Sequence, residues 1–130
     1  MIIEALLAIS LLPIIITAIV GVTIYTRSSA QFLSQKAQGL FLAEEGLEVV
    51  RNMRDQNWNN LPDGTYGLVV SNNQWQLVNT NDTQAIFTRQ INISSLTAEE
   101  KHVTVEVRWS ASQSRESAAS LQTILSDWRE

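Results

Sequence analysis

The stretch Ala5-Leu6-Leu7-Ala8-Ile9-Ser10-Leu11-Leu12-Pro13-Ile14-Ile15-Ile16-Thr17-Ala18-Ile19-Val20-Gly21-Val22-Thr23-Ile24-Tyr25-Thr26 contains 22 residues and no charge. At 1.5 Å per residue, a helix of that length crosses a hydrocarbon layer of about 30 Å. A signal peptide would carry a basic flank, a shorter apolar core and a small-residue cleavage site. The flank here is Met1-Ile2-Ile3-Glu4, with no basic residue. A core helix this long and apolar has nowhere to be buried in a chain of 130 residues. The segment is therefore expected to span a membrane. Leu6, Leu7, Ile9, Leu11, Leu12, Ile14, Ile15, Ile16 and Val20 are its expected packing residues there.

Glu4 and Pro13 depart from a plain anchor. A carboxylate at the apolar edge of a span is costly unless it reaches headgroups or gains a cationic partner. Pro13 removes a helical N–H in mid-span, which membrane helices tolerate when the freed carbonyl is satisfied locally. The nearest basic residues, Arg27 and Lys36, lie on the C-terminal side of the span. Taken alone, the positive-inside rule would put the following domain in the cytoplasm; a basic leader preceding Met1 would reverse that orientation.

Beyond the span, Leu33, Ala37, Leu40, Ala43, Leu47, Val50 and Met53 or Arg54 recur in steps of 3 and 4, one face of an α-helix. Glu48 and Arg51, then Arg51 and Asp55, have the spacing of surface pairs. No proline separates this stretch from the span, although Gly39 and Gly46 weaken it. One helix is expected from Met1 to about Trp58, on the order of 85 Å long. Its hydrophobic half is 1–26 and its amphipathic half 27–60. Asn57-Trp58-Asn59-Asn60 ends it, and Leu61-Pro62-Asp63-Gly64 has the residues of a turn.

From there the apolar period changes to two, and residues 61–130 read as a small β-sheet head. Tyr66, Leu68 and Val70 alternate, Asn72-Asn73 reads as a hairpin turn, and Trp75 and Leu77 alternate again. A polar turn covers Asn79 to Thr83, and Ala85 to Ile93 forms a third strand. Val103, Val105, Val107 and Trp109 alternate with Thr104, Glu106 and Arg108; a Ser-rich loop, Ser110 to Ser120, then leads to a last strand around Leu121 to Trp128. Short links between consecutive strands imply an antiparallel meander. The fold class is α+β: a long N-terminal helix, hydrophobic in its first half, packed on a small sheet. Leu40, Leu47 and Val50 on the helix and Val105, Val107 and Trp109 on the sheet are the expected helix–sheet core, because the strand residues share one parity.

Composition excludes several function classes. The nine Lys and Arg are scattered and the net charge is −4, which argues against a nucleic-acid footprint. There is no cysteine, so disulfides, thiolate metal sites and thiol catalysis are out of reach. His102 is the single histidine and starts a strand, with no spacing that makes it a catalytic base. Glu44, Glu45 and Glu48 read as a solvated helix face, since a Ca²⁺ site needs six or more converging oxygens. Asn79-Thr80-Asn81-Asp82-Thr83 is oxygen-rich but reads first as a turn. The tryptophans at 58, 75, 109 and 128 read as core or helix–sheet packing. No catalytic residue, cofactor or metal is expected, and the chain is read as no enzyme.

The order of these features resembles the type IV pilin superfamily. Ile2-Ile3-Glu4-Ala5-Leu6-Leu7-Ala8-Ile9 is similar to the stretch that follows the cleavage site of a prepilin. Ala43-Glu44-Glu45-Gly46-Leu47-Glu48-Val49-Val50-Arg51, then Arg54-Asp55-Gln56-Asn57-Trp58, resembles minor pilins and pseudopilins. So does the ending Val103-Thr104-Val105-Glu106-Val107-Arg108-Trp109 with Leu121 to Trp128. The resemblance implies a leader ending in Gly that a prepilin peptidase removes, N-methylation of the new first residue, and insertion in the inner membrane with the head outside the cytoplasm. An assembly platform then polymerises the subunits into a cell-surface or periplasmic filament. It assigns subunit assembly to Glu4, Met1 and Pro13, with Glu4 pairing to the N-terminal amine of a neighbouring pilin-like subunit. The absent Cys pair of many major pilins turns the resemblance towards a minor pilin or pseudopilin.

Two functions follow. The leading one is a non-enzymatic structural subunit of a type IV pilus or related filament. The alternative is a single-span anchor carrying a carbohydrate- or ligand-binding sheet that does not polymerise. Glu4 discriminates between them, because a mere anchor tolerates its loss.

Overall fold

The computed structural model describes residues 1–112 and 115–128. Its contacts divide the chain into two units, Met1–Ser34 and Gln35–Glu130. The elements are helix α1 (Ile2–Gln56), a 3-10 turn (Trp58–Asn60), and strands β1 (Gly64–Ser71), β2 (Gln74–Val78), β3 (Asp82–Gln84), β4 (Phe87–Ser95), β5 (Glu100–Ser112) and β6 (Arg115–Ser126). The chain is thus an N-terminal apolar helix and an antiparallel sheet, an α+β fold.

In the first unit every residue from Met1 to Ser28 is exposed. The helix passes through Pro13 without a break, although proline cannot donate to the carbonyl four residues earlier. Its hydroxyls turn inward on their own backbone: Ser10 donates to the Leu7 carbonyl, Thr17 to Pro13, Thr23 to Ile19 and Thr26 to Val22, at 2.7–2.8 Å. A hydroxyl satisfied this way needs no water, as an apolar surround requires. α1 is long and apolar enough to cross a membrane.

The second unit is built on a six-stranded sheet in the order β2-β1-β4-β5-β6, with β3 also on β4 and every pairing antiparallel. Neighbours in sequence pair as hairpins except at one place, where β1 and β3 share an edge of β4. Tyr66 to Gly64 pair with Ile91 to Ile93, while Asp82 to Gln84 pair with Arg89 to Phe87. From Gly67 onward β1 leaves β4 and pairs with β2 instead. A Cβ at Gly67 would strike the Thr80 carbonyl oxygen and the Asp82 amide nitrogen, so only glycine lets the two strands share that edge. The β1–β2 link holds Asn72 and Asn73 at φ 51° and 62°, the left-handed pair that a two-residue hairpin turn demands.

Strand parity makes the core. Phe87, Ile91 and Ile93 on β4 align with Trp109, Val105 and Val103 on β5, and all six are buried. Phe87 and Trp109 rings meet at 5.7 Å between centroids. On β6 the residues opposite Trp109 and Val107 are Ser117 and Ala119, small side chains beside large ones. From α1 this sheet is met by Gly39, Ala43, Gly46, Leu47, Val49, Val50 and Met53, all buried. Gly39 lies under the Trp109 indole, where a Cβ would come 2.7 Å from its Cζ3, and Gly46 lies under Val105, where a Cβ would come 2.9 Å from its Cγ1.

Two expectations change here. The sequence puts Leu40 in the core, but it is 36% exposed. The seam runs through Gly39, one residue earlier, because the indole needs a helix surface without a side chain. The sequence also makes Ser110–Ser120 a loop, whereas β5 continues to Ser112 with a register shift after Ser110, and β6 starts at Arg115. Small residues hide the period of two there, and pairing with a long neighbour overrides their weak strand propensity. Gln113 and Ser114 of that expected loop, and the last two residues, lie outside the described residues.

The indole–glycine contact generates a coupled prediction. Trp109→Ala is expected to cost about 3–5 kcal/mol as a large-to-small core change. Gly39→Val is expected to cost about 1–3 kcal/mol by overpacking. In a Trp109→Ala background the Gly39→Val cost should shrink towards zero, because the ring it strikes is gone. Urea melts of residues 27–130 with the four variants of this cycle measure the coupling; strict additivity would mean the two groups do not touch.

Candidate assembly site

Glu4 lies in the first turn of α1, its side chain 85% exposed, with Oε2 3.6 Å from the Met1 amine of the same chain. The i,i+3 spacing on a helix brings the two charges to one side. In water such an exposed pair stabilises little. Chemically, the position holds a carboxylate and an amine at the end of an apolar helix, each accessible to a second molecule. Pro13 sits with Ile14, Thr17 and Ala18 around a shallow apolar depression on the same segment. Leu6, Leu7, Ile9, Leu11, Leu12, Ile14, Ile15, Ile16 and Val20 are each 50–66% exposed. None of them belongs to the buried core of the described residues, in contrast to Leu47, Val50, Val105, Val107 and Trp109, which come together there.

One feature of the second unit escapes the sequence reading. Arg89 has the inward parity of Phe87, Ile91 and Ile93, and it is 1% exposed. Its Nε and Nη2 donate to Oδ2 of Asp82, Nε at 2.9 Å. Nη1 donates to Glu45 Oε2 at 2.8 Å and to the Leu42 carbonyl at 3.1 Å. The guanidinium carbon stands 5.8 Å from the Trp75 ring centroid. One side chain on β4 therefore ties together α1, β2 and β3. A buried guanidinium holds its charge only with such a set of partners. The available signal was an arginine on the apolar parity of a strand, which calls for carboxylates near it.

This cluster corrects the reading of two acidic stretches. Glu45 is half-buried against Arg89 rather than part of a fully solvated face, while Glu48 forms the expected pair with Arg51, at 3.4 Å. In the Asn79–Thr83 stretch the Asp82 carboxylate serves Arg89, and Asn81 Oδ1 accepts from Gln90 at 2.8 Å. Those oxygens already have cationic or N–H partners, and no group of three His, Asp or Glu is placed to hold a metal among the described residues.

A second cluster fixes the exit from the helix. Asp63 accepts from the Lys101 ammonium at 2.8 Å, from Ser95 Oγ at 2.9 Å and from the Ser95 amide at 3.1 Å. The bond from Lys101 and those from Ser95 hold its carboxyl below the usual carboxylate range. Lys101 in turn sits 5.7 Å from the half-buried Trp58 ring. Of the four tryptophans only Trp109 is core; Trp75 and Trp128 are 37% and 61% exposed, contrary to a purely internal role.

The Arg89 cluster predicts an asymmetry. Asp82→Ala leaves the guanidinium buried with half its carboxylates and should cost about 3 kcal/mol. Adding Arg89→Met removes the stranded charge and should recover most of that loss, which urea melts of residues 27–130 would read directly. A double variant less stable than Asp82→Ala would contradict it. No protein-family model, curated protein or solved structure matches the chain.

Proposed function

We propose that this chain is a structural subunit of a type IV pilus-like filament, of the minor pilin or pseudopilin kind. The observation that carries the reading is the first 28 residues of the chain, exposed throughout and apolar over most of their length. Water does not tolerate such a surface, and none of the described residues covers it. Before assembly the cover is the inner membrane, crossed once, with the head outside the cytoplasm. After assembly it is the same segment of other copies or of similar subunits, in a filament on the surface or in the periplasm. A prepilin peptidase and an assembly platform are the partners such a route uses.

Glu4 supports assembly over simple anchoring. A carboxylate at the apolar edge is a liability to a lone anchor. Once helices pack side by side, water and headgroups leave, and a neighbour's amine becomes the cation that compensates it. The in-chain contact of Met1 and Glu4 is then exchanged for contacts between chains. Chemistry on substrates has no part in this reading.

Glu4→Gln should leave membrane insertion and the melting of the head unchanged while strongly reducing recovery of the protein in sheared filaments. Shear fractionation, with the membrane fraction as control, reads both quantities. Undiminished filament incorporation of Glu4→Gln would shift the reading to an anchored binding module.

A further inference from the structure

On the second unit, a groove of about 660 Å³ runs between the flank of α1 and β2. Leu47 and Val49 form its floor, Phe41 and Trp75 are its aromatic walls, and Glu44 and Glu48 stand on its rim. Phe41 is 66% exposed, and the Trp75 indole is anchored from behind by Arg89. Among the described residues that line it are three carboxylates, Glu44, Glu45 and Glu48, and one guanidinium, Arg51; Glu45 is also paired to the buried Arg89. The surface is apolar with an excess of negative charge, so its occupant is apolar and basic.

The chain itself contains a segment of that chemistry. Between Glu4 and Glu44 its only charged residues are Arg27 and Lys36. Tyr25, Phe32 and Leu33 lie among them, exposed on the same helix. Neither cation has an ionic partner among the described residues.

We infer that the groove receives residues 25–36 of a second copy, with the second copy's Lys36 beside Glu48. This rests on the filament reading and gives it a register. For two parallel copies, matching residue 36 to residue 48 sets an axial offset of about 18 Å at 1.5 Å per residue. The contact uses different patches on the two copies, so it is heterologous and extends without closing.

The test uses the whole chain in membranes. Leu40→Cys and Asn52→Cys lie one helical turn beyond Lys36 and Glu48, keep both charges, and introduce the only thiols of a cysteine-free chain. Within one copy they are about 18 Å apart along the helix, beyond the reach of a disulfide. Mild oxidation of the double variant should give a ladder of covalent multimers, where each single variant stops at dimers. Adding Glu48→Lys should abolish the ladder, and adding Lys36→Glu to that should restore it. Sheared filaments without a ladder would overturn the groove contact and leave the filament reading standing. A ladder without filaments would uphold the contact and overturn the filament reading. Absence of both would overturn both, and a ladder indifferent to Glu48→Lys would overturn the charge pairing.

Discussion

The folded unit depends on how closely α1 approaches the sheet. Gly39 and Gly46 remove two side chains from the helix surface, and into those gaps go the Trp109 indole and Val105. Each glycine costs about 1 kcal/mol of helix propensity, while a buried side chain of that size contributes about 1.5–3 kcal/mol. Packing wins, and the helix stays continuous because its other inward residues, Ala43, Leu47, Val50 and Met53, bury their surface on the same sheet. The rest follows from that distance. A close helix leaves no room on β6 for large residues beside Trp109 and Val107, and Ser117 and Ala119 stand there.

The same approach explains why a charge can be buried. Gly46 also lies under the stem of Arg89, where a Cβ would come 3.3 Å from Cδ. With the stem pressed against bare helix, the guanidinium reaches Glu45 and the Leu42 carbonyl on one side and Asp82 on the other. β3, only three residues long, is tied down by this ion pair in addition to its ladder on β4. Gly67 makes the arrangement possible by letting β1 pass beside the chain that enters β3. Trp75, stacked near Arg89, then becomes the wall of an open groove rather than part of the core.

Much of this was legible in the residues. The uncharged run from Ala5 to Thr26 announces the apolar helix, and the parity of Val103, Val105, Val107 and Trp109 fixes which face of β5 is buried. Asn72-Asn73 names its turn because few other pairs accept two left-handed residues. What the sequence hid has physical causes. Gly39 and Gly46 look like weaknesses in a helix until the opposing side chains are known. Arg89 looks like surface until Asp82 is placed across the β3–β4 hairpin and Glu45 arrives from the helix. The first part of β6 carries serine and alanine, whose period is invisible to any hydrophobic pattern. Of the candidate site, Glu4 and the apolar positions could be named, but the groove by Trp75 requires α1 and β2 to meet and has no local signature.

The two units treat their apolar residues differently. The sheet and the second half of α1 bury a shared apolar core; the segment before Ser29 buries no residue. Sedimentation in detergent-free buffer of residues 27–130, beside the whole chain, tests this most directly. The account predicts a folded, soluble monomer for 27–130 and a whole chain recovered only with membrane, detergent or assembled material. A fragment that sediments as a large discrete oligomer, or a whole chain soluble as a monomer, would contradict it.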